Sequence, residues 1–276
     1  MFACFYPLQC RTTSPAKYST LTEAGVPAEK SVLAVIPARY ASSRLPGKPL
    51  LKIHGRPMIW WVAKRVARSA VEEYVVATDD ARIELFCKEN HIPCMMTSTL
   101  CANGTERIAE VSEALEADYY INVQGDEPLI NVDAINKVYT HIQSCDVRGF
   151  VQAIAPLDTK QIYDESVVKV AVSGASRIAY LSRSPIPFCK ADNSAQIYFR
   201  CMGLYAYSGV FCRNYSRTPQ GNLEQAEQIE QLRCIESESL SIEGVMVEDE
   251  GISIDTCQDY QAVCSMPFEK FALEQH

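Results

Sequence analysis

The chain has 276 residues, of which 47% are hydrophobic and 22% charged, the balance of an ordinary globular protein. Its formal net charge is −8, so no broad basic surface is at hand to neutralise nucleic-acid phosphates. No apolar run reaches the about 18 residues of a membrane-spanning helix, and the length suits one large α/β domain or two small ones.

Residues 1–30 differ in style from the rest. They are rich in Ser and Thr, lack acids until Glu23, and hold only Arg11 and Lys17 as basic residues before it. The apolar start is short and has no basic opening, which argues against a secretory signal. A poorly ordered N-terminal extension over 1–30 is expected, ahead of a domain over 31–276.

Beyond it strands and helices alternate. "VLAVI" (32–36) predicts a strand, and "MIWWVAKRV" a helix with Ile59, Val62 and Val66 on one face. "YVVAT" (74–78) predicts a second strand, and "DARIELFCKEN" a helix with Asp79 or Asp80 as N-cap. "PCMMT" predicts a short strand, and "TERIAEVSEALE" a helix with Ile108, Val111 and Leu115 at helical spacing. "YYINVQ" (119–124) predicts a fourth strand, and "VDAINKVYTHI" a helix with Val132, Ile135, Val138, Tyr139 and Ile142 on one stripe. Such alternation implies parallel strands with helical crossovers, and ligands beyond the carboxyl ends of those strands.

The second half reads differently. "VVKVAVSGASRIAYLSR" predicts a β-hairpin around a Gly-containing turn, and "MGLYAYSGVF" a further strand. "LEQAEQIEQLRCIES" predicts one acidic amphipathic helix, and "GISIDT" (251–256) a last short strand before a helical tail. No Pro- or Ser-rich linker divides the chain, so a single domain with an added hairpin region is expected. Twelve cysteines are scattered without a C-x-x-C pair, which supports neither a zinc knuckle nor a redox motif. Several sit inside apolar runs, as buried thiols do in a reducing cytoplasm.

Three stretches carry chemistry. "IPARYASSRLPGKPL" (36–50) places Arg39, Arg44, Gly47 and Lys48 between the first strand and the first helix. Cations and free amides at such a turn suit phosphates, a solvated basic loop being the plainer alternative. Neither G-x-x-x-x-G-K-[ST] nor G-x-G-x-x-G is present, which disfavours a P-loop NTPase and a dinucleotide dehydrogenase. In "INVQGDEPLI" an apolar strand runs into Gln124, Gly125, Asp126 and Glu127. Carboxylates there suit Mg²⁺, unless Asp126 merely caps the next turn. Asp255 closes "GISIDT" and on its own reads as a helix N-cap. Paired with Asp126 it can share a metal that bridges phosphate oxygens.

In order, "IPARYASSRLPGKPL", "VATDD", "NGTERIAE", "NVQGDEPLI", "YLSRSPIPF", "LEQAEQIEQLR" and "IDT" resemble the 3-deoxy-manno-octulosonate (Kdo) cytidylyltransferase family across residues 32–265. The resemblance implies a single α/β nucleotidyltransferase domain, with a Rossmann-like, mostly parallel sheet and an added β-hairpin region for dimerisation and sugar binding. It implies a cytoplasmic homodimer that uses Mg²⁺ and transfers CMP from CTP to the anomeric hydroxyl of Kdo. Pyrophosphate leaves, and the sugar acid is activated for lipopolysaccharide synthesis.

The same resemblance assigns nucleotide binding to Pro37, Ala38, Arg39, Arg44, Lys48, Asn103, Gly104, Arg107 and Gln124. Catalytic roles fall to Arg39, Lys48, Asp126 and Asp255, the two aspartates holding the metal. Sugar binding falls to Arg183, Tyr205, Glu230 and Gln231. Read without the resemblance, Thr105 is an N-cap and Glu230 part of a solvated helix face. Two departures stand out. Cys201 in "CMG" takes the place of a family histidine, and Cys257 in "DTC" that of a proline. A thiol lacks the hydrogen bonds of an imidazole. The alternatives are therefore the same reaction on 8-amino-Kdo or another 2-keto-3-deoxy sugar acid, or a non-catalytic nucleotide-binding paralogue.

Overall fold

The first strand, β1 (Val32–Ala38), is buried on both faces through residues 33–36, as a continuous apolar run in a doubly covered sheet must be. The computed structural model describes residues 29–41, 44–147, 149–174, 176–190, 197–215, 217–237, 240–248 and 252–272. Most of the expected extension, residues 1–28, lies outside the described residues, as do Ser42 and Ser43 of the cationic loop. Glu29 and Lys30 meet the domain: Tyr139 Oη donates to Glu29 Oε1 at 2.9 Å, and Lys30 Nζ to Ile142 O at 2.9 Å.

The first half follows its periodicity. After β1 come a small antiparallel pair, β2 (Lys52–Ile53) and β3 (Arg56–Pro57), and then helix α1 (Met58–Val66). Strand β4 (Glu73–Thr78), α2 (Ala81–Glu89), β5 (Cys94–Met96), α3 (Gly104–Ala114), β6 (Tyr119–Val123) and α4 (Val132–Ser144) complete it. Asp80 caps α2 by accepting from Arg82 N at 2.9 Å. The cap of α3 is Asn103, which accepts from Glu106 N at 2.8 Å, and not Thr105. Thr105 lies buried in the first turn with its hydroxyl 2.6 Å from Tyr207 Oη. Strands β5, β4, β1 and β6 run parallel in that order, with Val35 opposite both Val75 and Asn122.

The second half contains β7 (Phe150–Pro156), β8 (Lys169–Ser173), β9 (Arg177–Ser182), β10 (Phe199–Ser208) and α5 (Gly209–Tyr215). It ends with α6 (Asn222–Glu227), α7 (Leu232–Ile235), β11 (Ile242–Met246) and α8 (Cys257–Cys264). The predicted hairpin is present as β8 and β9. The large sheet has the order β5-β4-β1-β6-β10-β7-β11-β9-β8, with β8 also meeting β10. It is mixed, not mostly parallel, because β10 is inserted antiparallel between β6 and β7.

Three further expectations are corrected. The acidic helix is two short ones, parted at Gln228, whose φ of 55° ends α6. Residues 252–255 form no strand, and Ile254 N simply donates to Asp126 O at 3.0 Å. The strand ends at Ser208, and the "GVF" that follows turns into α5 instead of prolonging it. Strands β7 and β11 were not predicted.

The core lies on both faces of the sheet. Ala34 and Ile36 of β1 pack with Ile59, Val62, Ile135 and Val138 of α1 and α4. Leu33 and Val35 point the other way, toward Ile108, Val111 and Phe211 of α3 and α5. A smaller cluster of Ile53, Met58, Trp61, Ile254, Val263 and Phe271 clamps α8 and the chain before it to α1. Full burial of Ile254 contributes about 1.5–3 kcal/mol there. Among the described residues, no helix is long and apolar enough to cross a membrane.

Candidate active site

The cationic loop leaves β1 at Ala38 and returns through Gly47, whose φ of 71° is a left-handed conformation open to glycine. Gly47 N donates to Tyr40 O at 3.0 Å, and a single 3-10 turn over Lys48–Leu50 follows. That turn aims Lys48 inward. Its Nζ lies 2.7 Å from Asp126 Oδ2, 2.9 Å from Ile254 O and 3.4 Å from Asp255 Oδ1. Arg44 Nη2 reaches Asp255 Oδ1 at 3.0 Å. The carboxylates come from segments 78 and 207 residues further along the chain. Lys48 is mostly covered, with 15% of its side chain exposed, whereas Arg44 stands 63% exposed.

Each carboxylate is positioned by its own turn. Gly125 brings the β6 end against β1, since a Cβ there would sit 2.6 Å from Pro37 O. Asp255 is held from behind: its N–H donates to Asp259 Oδ2 at 3.0 Å, and Asp259 also accepts from Thr256 N at 2.7 Å. Thr256, not Asp255, is the N-cap of α8, within a reciprocal capping box with Asp259. Asp255 is thereby left facing the cations.

Beyond the ends of β1 and β6 lie the other residues assigned to the nucleotide. Gly104 opens α3 beside Pro37 and Gln124, whose Cγ and Nε2 would be 3.7 and 3.8 Å from a Cβ at that position. Asn103 caps the helix, and Arg39 Nη1 contacts Ala102 O at 3.4 Å. Arg107 differs from an open phosphate ligand. It is 2% exposed, pairs with Asp79 through Nη2 at 2.9 Å, and donates to Thr97 Oγ1. It braces the ends of β4 and β5 from inside.

Gln124 leads to the residues assigned to the sugar. Its N–H donates to Gly203 O at 3.1 Å, and its side-chain amide donates to Tyr205 Oη. Tyr205 Oη in turn donates to Glu230 Oε1 at 3.2 Å. Burial raises the pKa of Glu230 above its ordinary 4.5, while hydrogen bonds from Thr105 and Tyr205 oppose that rise. Burial likewise pushes the Tyr205 phenol well up, aided by the charge of Glu230. Gln231 is buried, its Nε2 donating to Gln152 Oε1 at 3.1 Å. Arg183 is fixed by carbonyls: Nε to Glu227 O at 2.8 Å, Nη1 to Glu165 O at 2.9 Å and Nη2 to Gln228 O at 3.4 Å.

Sequence reasoning missed the residues that shape this side. Gln152 is fully buried on β7 and donates to Met202 O at 2.7 Å, where β10 bulges between Cys201 and Tyr205. Glu127, read in the sequence among the strand-end carboxylates, instead accepts from Gly203 N at 3.0 Å and ties the same bulge to the turn of Asp126. Asn122, with Tyr207, supports Thr105 from β6. A polar residue inside an apolar run, such as Asn122 in "YYINV" or Gln152 in "FVQAIAP", was the available signal. Burial raises the Cys201 thiol above its ordinary range, so a neutral thiol faces this bulge.

The cluster of cations and carboxylates beyond the strand ends of this mixed sheet sits where a nucleotidyltransferase handles a nucleoside triphosphate, and relatives of this chain are enzymes of that class. The fold is shared by a structure described as a Bacillus anthracis glucose-1-phosphate thymidylyltransferase. That chain is 13% identical, has a TM-score of 0.63, and aligns over 87% of this chain and 98% of its own. Residues 33–243 match the cytidylyltransferase family. The 3-deoxy-manno-octulosonate cytidylyltransferase of Syntrophobacter fumaroxidans is 39% identical over 84% of this chain and 95% of its own. A CMP:2-keto-3-deoxy-manno-octonic acid synthetase, solved with CTP, is 37% identical with a TM-score of 0.82, covering 85% of this chain and 97% of that one. The chain belongs to the 3-deoxy-manno-octulosonate cytidylyltransferase family.

Proposed function

We propose that this protein transfers CMP from CTP to the anomeric hydroxyl of Kdo and releases pyrophosphate. The observation that carries the reading is the convergence of Lys48, Arg44, Asp126 and Asp255 beyond β1 and β6, in a chain of this family. The sugar oxygen attacks the α-phosphorus, a phosphorus–oxygen bond forms, and the bond to the bridging oxygen of pyrophosphate breaks. The hydroxyl proton passes to solvent, no side chain being assigned as its base.

Asp126 and Asp255 fit a divalent metal. Their oxygens already converge on one cationic group, the Lys48 ammonium, and they are hard donors of the kind Mg²⁺ takes. When bound, Mg²⁺ supplies charge that neutralises phosphate oxygens. Arg39, Arg44 and Lys48 hold the triphosphate and stabilise the charge that develops on pyrophosphate as it leaves. Pro37, Ala38, Asn103, Gly104 and Gln124 surround the cytidine, with Arg107 acting through the strands it braces. Arg183 meets the sugar carboxylate, while Tyr205, Glu230 and Gln231 meet its hydroxyls.

Purified protein should release pyrophosphate from CTP only when Kdo and Mg²⁺ are both present. No release with fresh Kdo overturns the assignment, and CTP binding without turnover on any acid returns the non-catalytic paralogue. A second reading keeps the reaction and changes the acid, because a half-buried, neutral thiol at Cys201 offers little hydrogen bonding. A panel of sugar acids, 8-amino-Kdo included, decides it: a clear preference for Kdo removes this reading. Arg183→Ala should weaken sugar-acid use, and an effect confined to CTP affinity would displace that residue from the sugar side.

The same reading makes the protein a cytoplasmic homodimer whose β8–β9 region lies at the dimer surface. Phe188, just beyond β9, is 90% exposed and is a large apolar side chain for a partner to cover. The ten described cysteines are all free thiols, as suits a reducing compartment. Sedimentation of the full chain as a monomer at working concentrations removes the dimer.

A further inference from the structure

We propose that His141, Cys145 and Glu243 form a second metal site, for a divalent transition ion of the zinc type. Their nitrogen, sulfur and oxygen ligand atoms lie within 4.8 Å of one another, the one such group of three among the described residues. His141 and Cys145 are four residues apart at the end of α4, so both side chains leave the same helix face. Cys145 is the C-cap, its N–H donating to His141 O at 3.0 Å. Glu243 comes from β11, held in register opposite Val151 of β7.

The donors are already oriented. His141 Nε2 lies 2.8 Å from Glu243 Oε2, with 20% and 29% of the two side chains exposed. Bonds of about 2.0–2.3 Å to a tetrahedral ion put its ligand atoms about 3.5 Å apart, so closure asks for shifts of about 1 Å. Half-buried side chains at a helix end can make them.

The donor set also selects the ion. Magnesium and calcium take oxygen ligands, whereas imidazole, thiolate and carboxylate together suit zinc. One thiolate and one carboxylate balance a charge of +2. Lys30 Nζ sits on the carbonyls of Ile142 and Cys145, so the helix-end dipole is already answered and the ion relies on the three side chains. His141 and Ser144 also line a surface groove of about 650 Å³ together with Asn131, Lys137 and Met246. The groove opens the His141 side of the cluster to solvent. A bound ion would pin the end of α4 to β11. The plainer account is a lone His–Glu pair at a helix end, with the Cys145 thiol packed against the core and 3.7 Å from Ser144 Oγ.

The test uses the full chain, stripped with a chelator and titrated with Zn²⁺ against a chromophoric competitor, with Mg²⁺ in excess to occupy all-oxygen sites. One zinc per chain is expected. Co²⁺ in its place should give the near-ultraviolet absorption of a cobalt–thiolate bond. Cys145→Ser, nearly isosteric, should abolish that absorption and weaken zinc binding by at least about 10-fold. Glu243→Gln should weaken binding while keeping the absorption, and Asp126→Ala should alter neither. An unchanged affinity or a persisting cobalt–thiolate band in Cys145→Ser overturns the site, as does a stripped chain that takes up no zinc.

Discussion

The two sides of the candidate site hold their polar groups by different means. On the β1–β6 side, Lys48 and Arg44 are paired with carboxylates, and Arg44 and Asp255 stand 63% and 43% exposed. Ion pairs between exposed groups are weak, and their partners can be exchanged for a ligand's charges. On the β7–β11 side, Arg183 rests on three backbone carbonyls and Gln231 on a buried glutamine. Lys169, fully buried, likewise gives its ammonium to the carbonyls of Asp164, Val167 and Arg183. Burial lowers its pKa, as expected of a desolvated ammonium. Hydrogen bonds to backbone carbonyls and buried amides, which the fold keeps in place, hold geometry but do not readily change partners. The first side is built to rearrange around ions, and the second is organised before a ligand arrives.

The largest effect should fall on the organised side. Glu224 and Arg233 form a bidentate pair, both contacts 2.6 Å, with 3% and 8% of their side chains exposed. Glu224→Ala leaves a buried guanidinium uncompensated and should cost about 3–5 kcal/mol in denaturant titrations. A loss below about 1 kcal/mol would mean that this side adapts as freely as the other. Next comes Asp126→Ala, which should lower turnover at least about 100-fold with the fold intact by circular dichroism. Near-normal turnover in that variant would remove the carboxylate from the chemistry.

A smaller effect separates the sides by pH. The folded-state pKa of Glu230 is raised above its ordinary 4.5 by burial. The stability it contributes is therefore complete below about that value and is lost as pH climbs through the folded pKa. Glu230→Gln lacks this loss, so its melting temperature should fall less than the parent's between that pH and neutrality. Equal slopes in thermal melts would show the carboxylate to be well solvated. The smallest effect belongs to Cys257→Pro, at the first position of α8 behind the Thr256 cap. A fixed φ there should add about 0.4–1 kcal/mol without touching Asp255. A net loss would reveal a hydrogen bond made by the Cys257 N–H.

The same division governs what could be read in advance. In the first half one periodic face is buried per helix, as with Ile135, Val138 and Ile142 on α4, so local pattern and fold agree. In the second half tertiary hydrogen bonds override pattern. The acidic stretch breaks at Gln228, where Arg183 takes the carbonyls of Glu227 and Gln228. Gly244 at a buried position, followed by two apolar residues that are less buried, interrupts the alternation that would have announced β11. The apolar look of residues 252–255 reflects Ile254 filling a pocket beside Trp61, not pairing in a sheet. Lys48, Asp126 and Asp255 were legible because charge at a strand end is uncommon. The supports Gln152 and Asp259 were not, nor was the role of Glu127, because each acts through a backbone group that a sequence does not display.

One consequence of the Lys48 bridge is kinetic. Arg44, Lys48, Asp126 and Asp255 sum to zero, and their opposite charges sit 2.7 to 3.4 Å apart. Fields from such close pairs cancel well within a screening length of ~10 Å at 0.1 M salt. An approaching polyanion therefore gains little long-range pull from this cluster, despite its two cations. Attraction begins at contact, when the pairs open, so discrimination among nucleotides belongs to residence time more than to the speed of encounter.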